Sequence, residues 1–297
     1  MSTSVLPEVT IEDIEVFADD LDAKKGAEIF KEHGCLVVRG LFKEYAEAIG
    51  RDVMATVEQS ISLLDQAKKV TEGWSTPNGA LFLPAPEGYH RDKQIMCVPI
   101  NYQSSAAFFQ SGLNPNMLDL AEAILGPNVE LYGSGQSLCK EPVGGHPKHL
   151  HQDSAYFEHK YFGPVAVLGY CIDTDLNNGS LHVVPGSFKL GQLEHTDTFS
   201  HLGLDPDEWP WERSLPVEGK AGDGILFHVR CIHGSKQNFS DEPRPIFIHR
   251  YRRIDDYVVV GGTTTENRAK NAEKPQQKKG GQRGFMVRGF RPYESDE

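Results

Sequence analysis

The apolar positions of this chain change their period near residue 129. Before it they recur at three- and four-residue spacings. Asp22 to His33 sets Ala27, Ile29 and Phe30 toward one side, which predicts a short amphipathic helix ended by Gly34. Residues 43 to 69 carry Ala46, Ile49, Val53, Val57, Ile61 and Leu64, the stripe of a long helix. Asn114-Pro115-Asn116 opens a third through Leu125, and Gly126-Pro127 closes it. Between the first two, Cys35 to Val38 reads as a buried strand. Residues 73 to 90, rich in Gly, Pro and aromatics, read as an ordered loop, and 93 to 100 as a strand. After residue 129 the period is two. Short strand-like runs recur at 129–139, 148–157, 164–172, 180–184, 223–229 and 245–251, with Gly, Pro, Asn and Asp between them. Helices followed by many short strands predict an α+β chain with a mainly β core. That means a β sandwich or jelly roll with helices on one side.

This patterning predicts one domain over residues 1–260, with its β core at about 129–255 and no internal repeat. Residues 191 to 216, holding His195, His201, Trp209 and Trp211, form an insertion that reads equally well as a lid or as a surface excursion. The tail at 261–297 is rich in Gly, Lys, Gln and Arg, and is expected to be partly mobile or to cap a pocket mouth.

Composition narrows the class. At 297 residues and 39% apolar the chain can bury a sizeable core. A net charge of −12 argues against a general nucleic-acid binder, although a local pocket can differ in sign from the whole surface. Cys35, Cys97, Cys139, Cys171 and Cys231 are odd in number and form no Cys-x-x-Cys pair, which fits free thiols in a reducing compartment. Met1-Ser2-Thr3-Ser4 lacks a basic region followed by an apolar stretch, so no signal peptide is expected, and no apolar run approaches membrane-spanning length. The expectation is a cytoplasmic protein with a small-molecule partner, and neither nucleic acid nor membrane.

The chemistry concentrates at Lys148-His149-Leu150-His151-Gln152-Asp153. If this is a strand, His149, His151 and Asp153 share one face. His-x-Asp supplies two-thirds of the two-histidine, one-carboxylate facial triad that suits non-haem iron(II). By itself the pair reads better as a His–Asp hydrogen bond on a strand surface, and only His233 and Arg244 in register turn the reading to metal. His149 is a rival ligand, placed at the rim or behind the ligands in support of them, because facial geometry wants the two-residue spacing. The third ligand is argued to be His233, at a strand end beside Gly234, where a ring can reach a cavity. Arg244 opens the next strand and can bind a carboxylate through two parallel hydrogen bonds, with Ser235 on the parity of His233 to support it. Its bland alternative is an ion pair with Asp241 or Glu242. His146 is assigned to a loop, His228 to the opposite parity, and His182, His195, His201 and His249 to structure or surface. Lys140 reads as a solvated charge. Zinc could use the same three ligands, but would leave Arg244 and Ser235 unexplained.

Taken in order, His151-x-Asp153, His233-Gly234-Ser235 and Arg244, eleven residues beyond His233, resemble the phytanoyl-CoA dioxygenase family of iron(II)- and 2-oxoglutarate-dependent oxygenases. Tyr156-Phe157, Asn178-Gly179 with Pro185-Gly186-Ser187, Gly222-Asp223 before Phe227-His228, and Gly34 to Phe42 resemble further family motifs, over roughly residues 25 to 255. The resemblance implies a double-stranded β-helix (a cupin-like jelly roll) with N-terminal and flanking helices. It implies iron(II) on His151, Asp153 and His233, with 2-oxoglutarate chelating the metal and its far carboxylate on Arg244 and Ser235. Gln136 matches a further cosubstrate contact. With O₂, such an enzyme hydroxylates an unactivated C–H of a small organic substrate and releases succinate and CO₂. Desaturation, epoxidation or ring closure would use the same iron. Related halogenases replace the carboxylate, so Asp153 disfavours halogenation. Two departures stand out: the family's pocket aromatic falls on Gly169 or Tyr170, and its upstream lysine has only Lys93 as a loose counterpart. The reading from another class is a non-catalytic or metal-only jelly-roll binding protein.

Overall fold

The helices form where the apolar stripes lie. In the computed structural model, which describes residues 8–199, 201–273 and 283–292, the first helix covers Ala23–His33. Asp22 caps it by accepting from the Lys24 and Lys25 amides, and Gly34 ends it at φ +72°. A Cβ at Gly34 would also strike the Phe188 ring, so conformation and packing both demand glycine there. The long stripe folds over Ala46–Ser62, burying Ala46, Ile49, Val53 and Val57. The third helix, Pro115–Leu125, begins where the Asn114 side chain accepts from the Met117 amide. Short helices at Ala106–Ser111 and Thr265–Ala272 were not read from the sequence.

Residues 73–90 correct the loop expectation. Gly73–Ser75 and Leu81–Pro84 are strands that extend the sheet through Lys93–Val98. Pro77, Pro84 and Pro86 fall at or beyond strand ends, so composition suggested a loop while pairing remained possible.

Among the described residues the larger sheet has twelve strands. At its centre Arg244–Arg253 lies between Val165–Tyr170 on one side and Gln136–Lys140 with Val129–Leu131 on the other. The smaller sheet orders Leu215–Val217, Leu181–Val183, His233–Ser235 and Lys148–His151. Strand alternation divides the core. Cys35, Val37, Ala166, Leu168, Ile225, Phe227, Ile246 and Ile248 face the smaller sheet's Leu181, Val183 and Val217. Leu36, Val38, Val165, Val167, Leu226 and Phe247 face the helices. This is the jelly roll with helices on one side.

The described parts of the insertion and the tail are folded. Thr196–Thr198 pairs with His201–Gly203, and Trp209 packs with Leu150, Val184, Leu204 and Ile232. Phe285–Arg288 pairs with Val129–Leu131 in the larger sheet. Of the tail expected to be partly mobile, residues 274–282 and 293–297 lie outside the described residues.

Candidate metal centre

His151 and His233 stand opposite each other across two paired strands of the smaller sheet, with ring centroids 4.3 Å apart. Gly234 permits that pairing, since a Cβ there would lie 2.7 Å from the Lys148 carbonyl. The strand expected to run through Asp153 stops at His151, and Asp153 begins a 3-10 turn, Asp153–Ala155. Gln152 turns the chain. Its side chain donates to the Gly191 and Arg230 carbonyls and accepts from the Leu193 amide, while its own amide donates to His195 Nε2. Asp153 still arrives beside the imidazoles. Its Oδ1 lies 3.6 Å from Nε2 of both His151 and His233. Candidate ligand atoms of the three lie within 4.8 Å of one another, and no other such trio occurs among the described residues.

The donor chemistry fits a divalent ion. His151 Nδ1 lies 2.7 Å from the His149 carbonyl and His233 Nδ1 lies 2.9 Å from the Cys231 carbonyl. A carbonyl only accepts, so each Nδ1 carries the proton and each Nε2 turns a lone pair toward Asp153. Burial, reinforced by His233, pushes the His151 imidazole down to about 3, and burial also lowers His233, so both are neutral at ordinary pH. Burial alone would raise the Asp153 carboxyl, but the Arg250 guanidinium, 3.6 Å away, holds it below the usual carboxylate range. An ion with bonds of about 2.0–2.2 Å can bridge atoms at this spacing. Two neutral imidazoles and one carboxylate leave coordination positions open toward the cavity.

That cavity, of about 400 Å³, lies between the sheets. From the larger sheet Arg244, Ile246, Ile248 and Arg250 line it at period two, with Gln136, Leu138 and Lys140 on the paired strand. Arg244 is buried, and its guanidinium donates to the Gly179 and Asn178 carbonyls, not to Asp241 or Glu242. Ser235 lines the same space. Gln136 lines it too, its Oε1 accepting from Arg250 Nη2 at 2.9 Å.

Several sequence assignments change. Lys140 is no solvated charge. It is buried, and its Nζ donates to the His146, Ser235 and Lys236 carbonyls, with burial pulling its pKa well down. His146 and His201 line the cavity. His149 lies outside the cavity and supports His151 through its backbone carbonyl, the supporting place expected for it. Lys93 pairs with Asp92 and lies over Trp74, away from the cavity. Neither Gly169 nor Tyr170 lines it: the Phe247 ring covers Gly169, and the Tyr170 hydroxyl donates to the Val217 carbonyl. His228 and His249 are structural, as expected. His228 Nδ1 accepts from the Arg230 amide, and both His249 nitrogens meet hydroxyls. Sequence reasoning missed Arg250 and Lys148 as cavity residues. Counting in twos from Arg244 would have found Arg250.

A jelly roll with this buried His-x-Asp…His set defines a class, that of the double-stranded β-helix oxygenases. Within it, the chain belongs to the phytanoyl-CoA dioxygenase (PhyH) family, whose model matches residues 30–246. It is 31% identical over 155 residues to a probable alpha-ketoglutarate-dependent hypophosphite dioxygenase of Stutzerimonas stutzeri, which covers 49% of this chain and 52% of that protein. It is 30% identical over 186 residues to the peroxisomal phytanoyl-CoA dioxygenase of Homo sapiens, with coverages of 56% and 52%. The chain thus spans about half the length of these curated relatives. Its fold is similar to that of ThoJ, a non-haem monooxygenase, with TM-score 0.62, 18% identity and coverages of 91% and 85%. It is also similar to SnoK, a non-haem alpha-ketoglutarate-dependent carbocyclase, with TM-score 0.60, 19% identity and coverages of 93% and 97%.

Proposed function

We propose that this protein is an iron(II)- and 2-oxoglutarate-dependent oxygenase that hydroxylates a C–H bond of a small organic substrate. The observation that carries this reading is the convergence of His151, Asp153 and His233 on one wall of a cavity whose opposite wall presents Arg244. His151, Asp153 and His233 would hold the metal. Bound iron(II) supplies oxygen activation, driven by conversion of 2-oxoglutarate to succinate and CO₂. The His149 and Cys231 carbonyls orient the two imidazoles as neutral donors before any ion arrives. Arg244, with Ser235 beside it, would take the far carboxylate of the cosubstrate. Burial of the triad and the apolar walls Ile246, Ile248, Leu138 and Phe227 keep bulk water from the reacting centre. Asp153 occupies the ligand position that a halide would need, which favours hydroxylation over halogenation.

Anaerobic addition of iron(II) and 2-oxoglutarate is expected to produce a weak visible charge-transfer band. Arg244→Ala should raise the 2-oxoglutarate concentration needed for it by roughly 10–100-fold, the worth of a charge-assisted pair. Unchanged cosubstrate binding in that variant would remove Arg244 from the reading. Absence of the band in the native protein would remove the oxygenase assignment.

A further inference from the structure

The reading above assigns one charged end of the cavity and leaves the other unassigned. Arg244 and Arg250 stand six residues apart on one strand face, about 20 Å along the backbone at about 3.3 Å per residue, with Ile246 and Ile248 between them. The paired strand sets Lys140 opposite Arg244, Leu138 opposite Ile246 and Gln136 opposite Ile248. The cavity is therefore polar at both ends and apolar in the middle. Arg250 Nη2 lies 3.6 Å from Asp153 Oδ2, the carboxylate oxygen turned away from the shortest His contacts, and 2.9 Å from Gln136 Oε1. The guanidinium carbon stands 5.3 Å from the Phe157 ring centroid. Its Nε is buried with no hydrogen-bond partner among the described residues, a donor capacity that a water or a ligand can complete. Lys148 lines the same cavity, its Nζ 4.9 Å from the Tyr156 ring centroid. The charged lining residues are Lys140, Lys148, Arg244 and Arg250 against Glu72 and Asp153, so the cavity is locally basic in a chain of net charge −12.

We propose that Arg250, aligned by Gln136 and neighboured by Lys148, is a second oxyanion site that holds a carboxylate or phosphonate group next to the metal triad. One edge of the guanidinium is committed to Asp153 and Gln136, and Phe157 fixes its plane. Of its donors only Nη2 is committed to protein partners, and Nε has none among the described residues. Size bounds the ligand. Ligand cavities run from about 300 to 1,000 Å³. At about 400 Å³ this one is small, and a five-carbon diacid must share it. The anion therefore belongs to a small molecule. It is either the keto-acid end of 2-oxoglutarate or the acidic group of a small substrate.

The inference rests on the oxygenase reading, so the native protein is titrated first with iron(II) and 2-oxoglutarate without oxygen. Arg250→Gln and Arg250→Lys follow, with iron affinity measured separately. Methylphosphonate is then added to the native complex and to each variant complex, and its binding is read by calorimetry and by the shift of the charge-transfer band. Arg250→Gln should weaken one of the two ligands by about ten-fold, as expected for one lost charge-assisted hydrogen bond, and Arg250→Lys should recover part of it. A loss confined to 2-oxoglutarate assigns the site to the cosubstrate. A loss confined to methylphosphonate assigns it to an acidic substrate. Unchanged 2-oxoglutarate affinity, together with methylphosphonate binding that is absent or unchanged, overturns the inference. If the native protein forms no band, the oxygenase reading fails instead. Calorimetry of methylphosphonate with native and Arg250→Gln protein then decides the oxyanion site by itself.

Discussion

The two faces of the strand Arg244–Arg253 are equally buried and do different work. On the helix side His249 has Nδ1 3.0 Å from the Tyr102 hydroxyl and Nε2 2.8 Å from the Ser111 hydroxyl, with the Phe108 ring 4.7 Å away. Tyr251 donates to the Gly112 carbonyl on the same side. On the cavity side Arg250 keeps an unpartnered Nε, and across the cavity His151 and His233 each commit only Nδ1 to a carbonyl. Burial therefore does not separate a structural histidine from a ligand. What separates His249 from His151 and His233 is that both its nitrogens meet hydroxyls, whereas theirs leave Nε2 turned toward Asp153 and the cavity.

The largest expected effect tests the cavity side. His233→Ala removes one of three ligands and should lower iron(II) affinity by more than about 100-fold, beyond what loss of an outer-shell partner costs. Anaerobic iron titration measures it, and near-native affinity would erase the distinction between the faces. Next, His249→Ala should destabilise the metal-free protein by about 3 kcal/mol in urea unfolding, from lost ring packing and two orphaned hydroxyls, while iron affinity holds. A variant that lost metal but kept its stability would reverse the comparison. The smallest effect per group is acid sensitivity. Burial depresses His249 to about 3 and His228 to about 4, against an ordinary 6.5. The unfolded chain takes up protons that the folded chain refuses, so this stability is present above pH 6.5 and is lost as pH falls toward 4. Between pH 7 and 6 each such histidine should cost under about 1 kcal/mol. Metal-free protein that gained stability over that step would contradict buried neutral rings.

How much could be read beforehand varied with the range of the interaction. His151, Asp153, His233 and Arg244 were legible because their spacings are local or lie in ordered motifs. The route to Asp153 was not, since the turn depends on Gln152 reaching Gly191 and Arg230. Lys140 read as solvated because a lysine beside Glu141 and Pro142 gives no sign of carbonyls at 235 and 236 closing over it. His201 read as surface because nothing local shows that its hairpin folds back to the cavity. The strands at 73–84 were hidden by their glycine and proline content.

By itself the sequence determined the three longest helices, the strand-rich second half and the types of side chain available for metal and diacid chemistry. These follow from periods of 3.6 and two, and from donor sets that need no partner to be recognised. Only the tertiary structure decided which histidine nitrogens remain free and which cations are tied to carbonyls or side chains. Those outcomes rest on partners far along the chain: Tyr102 for His249, and Gln136 for Arg250. No local pattern carries the position of a hydrogen-bond partner more than a hundred residues away.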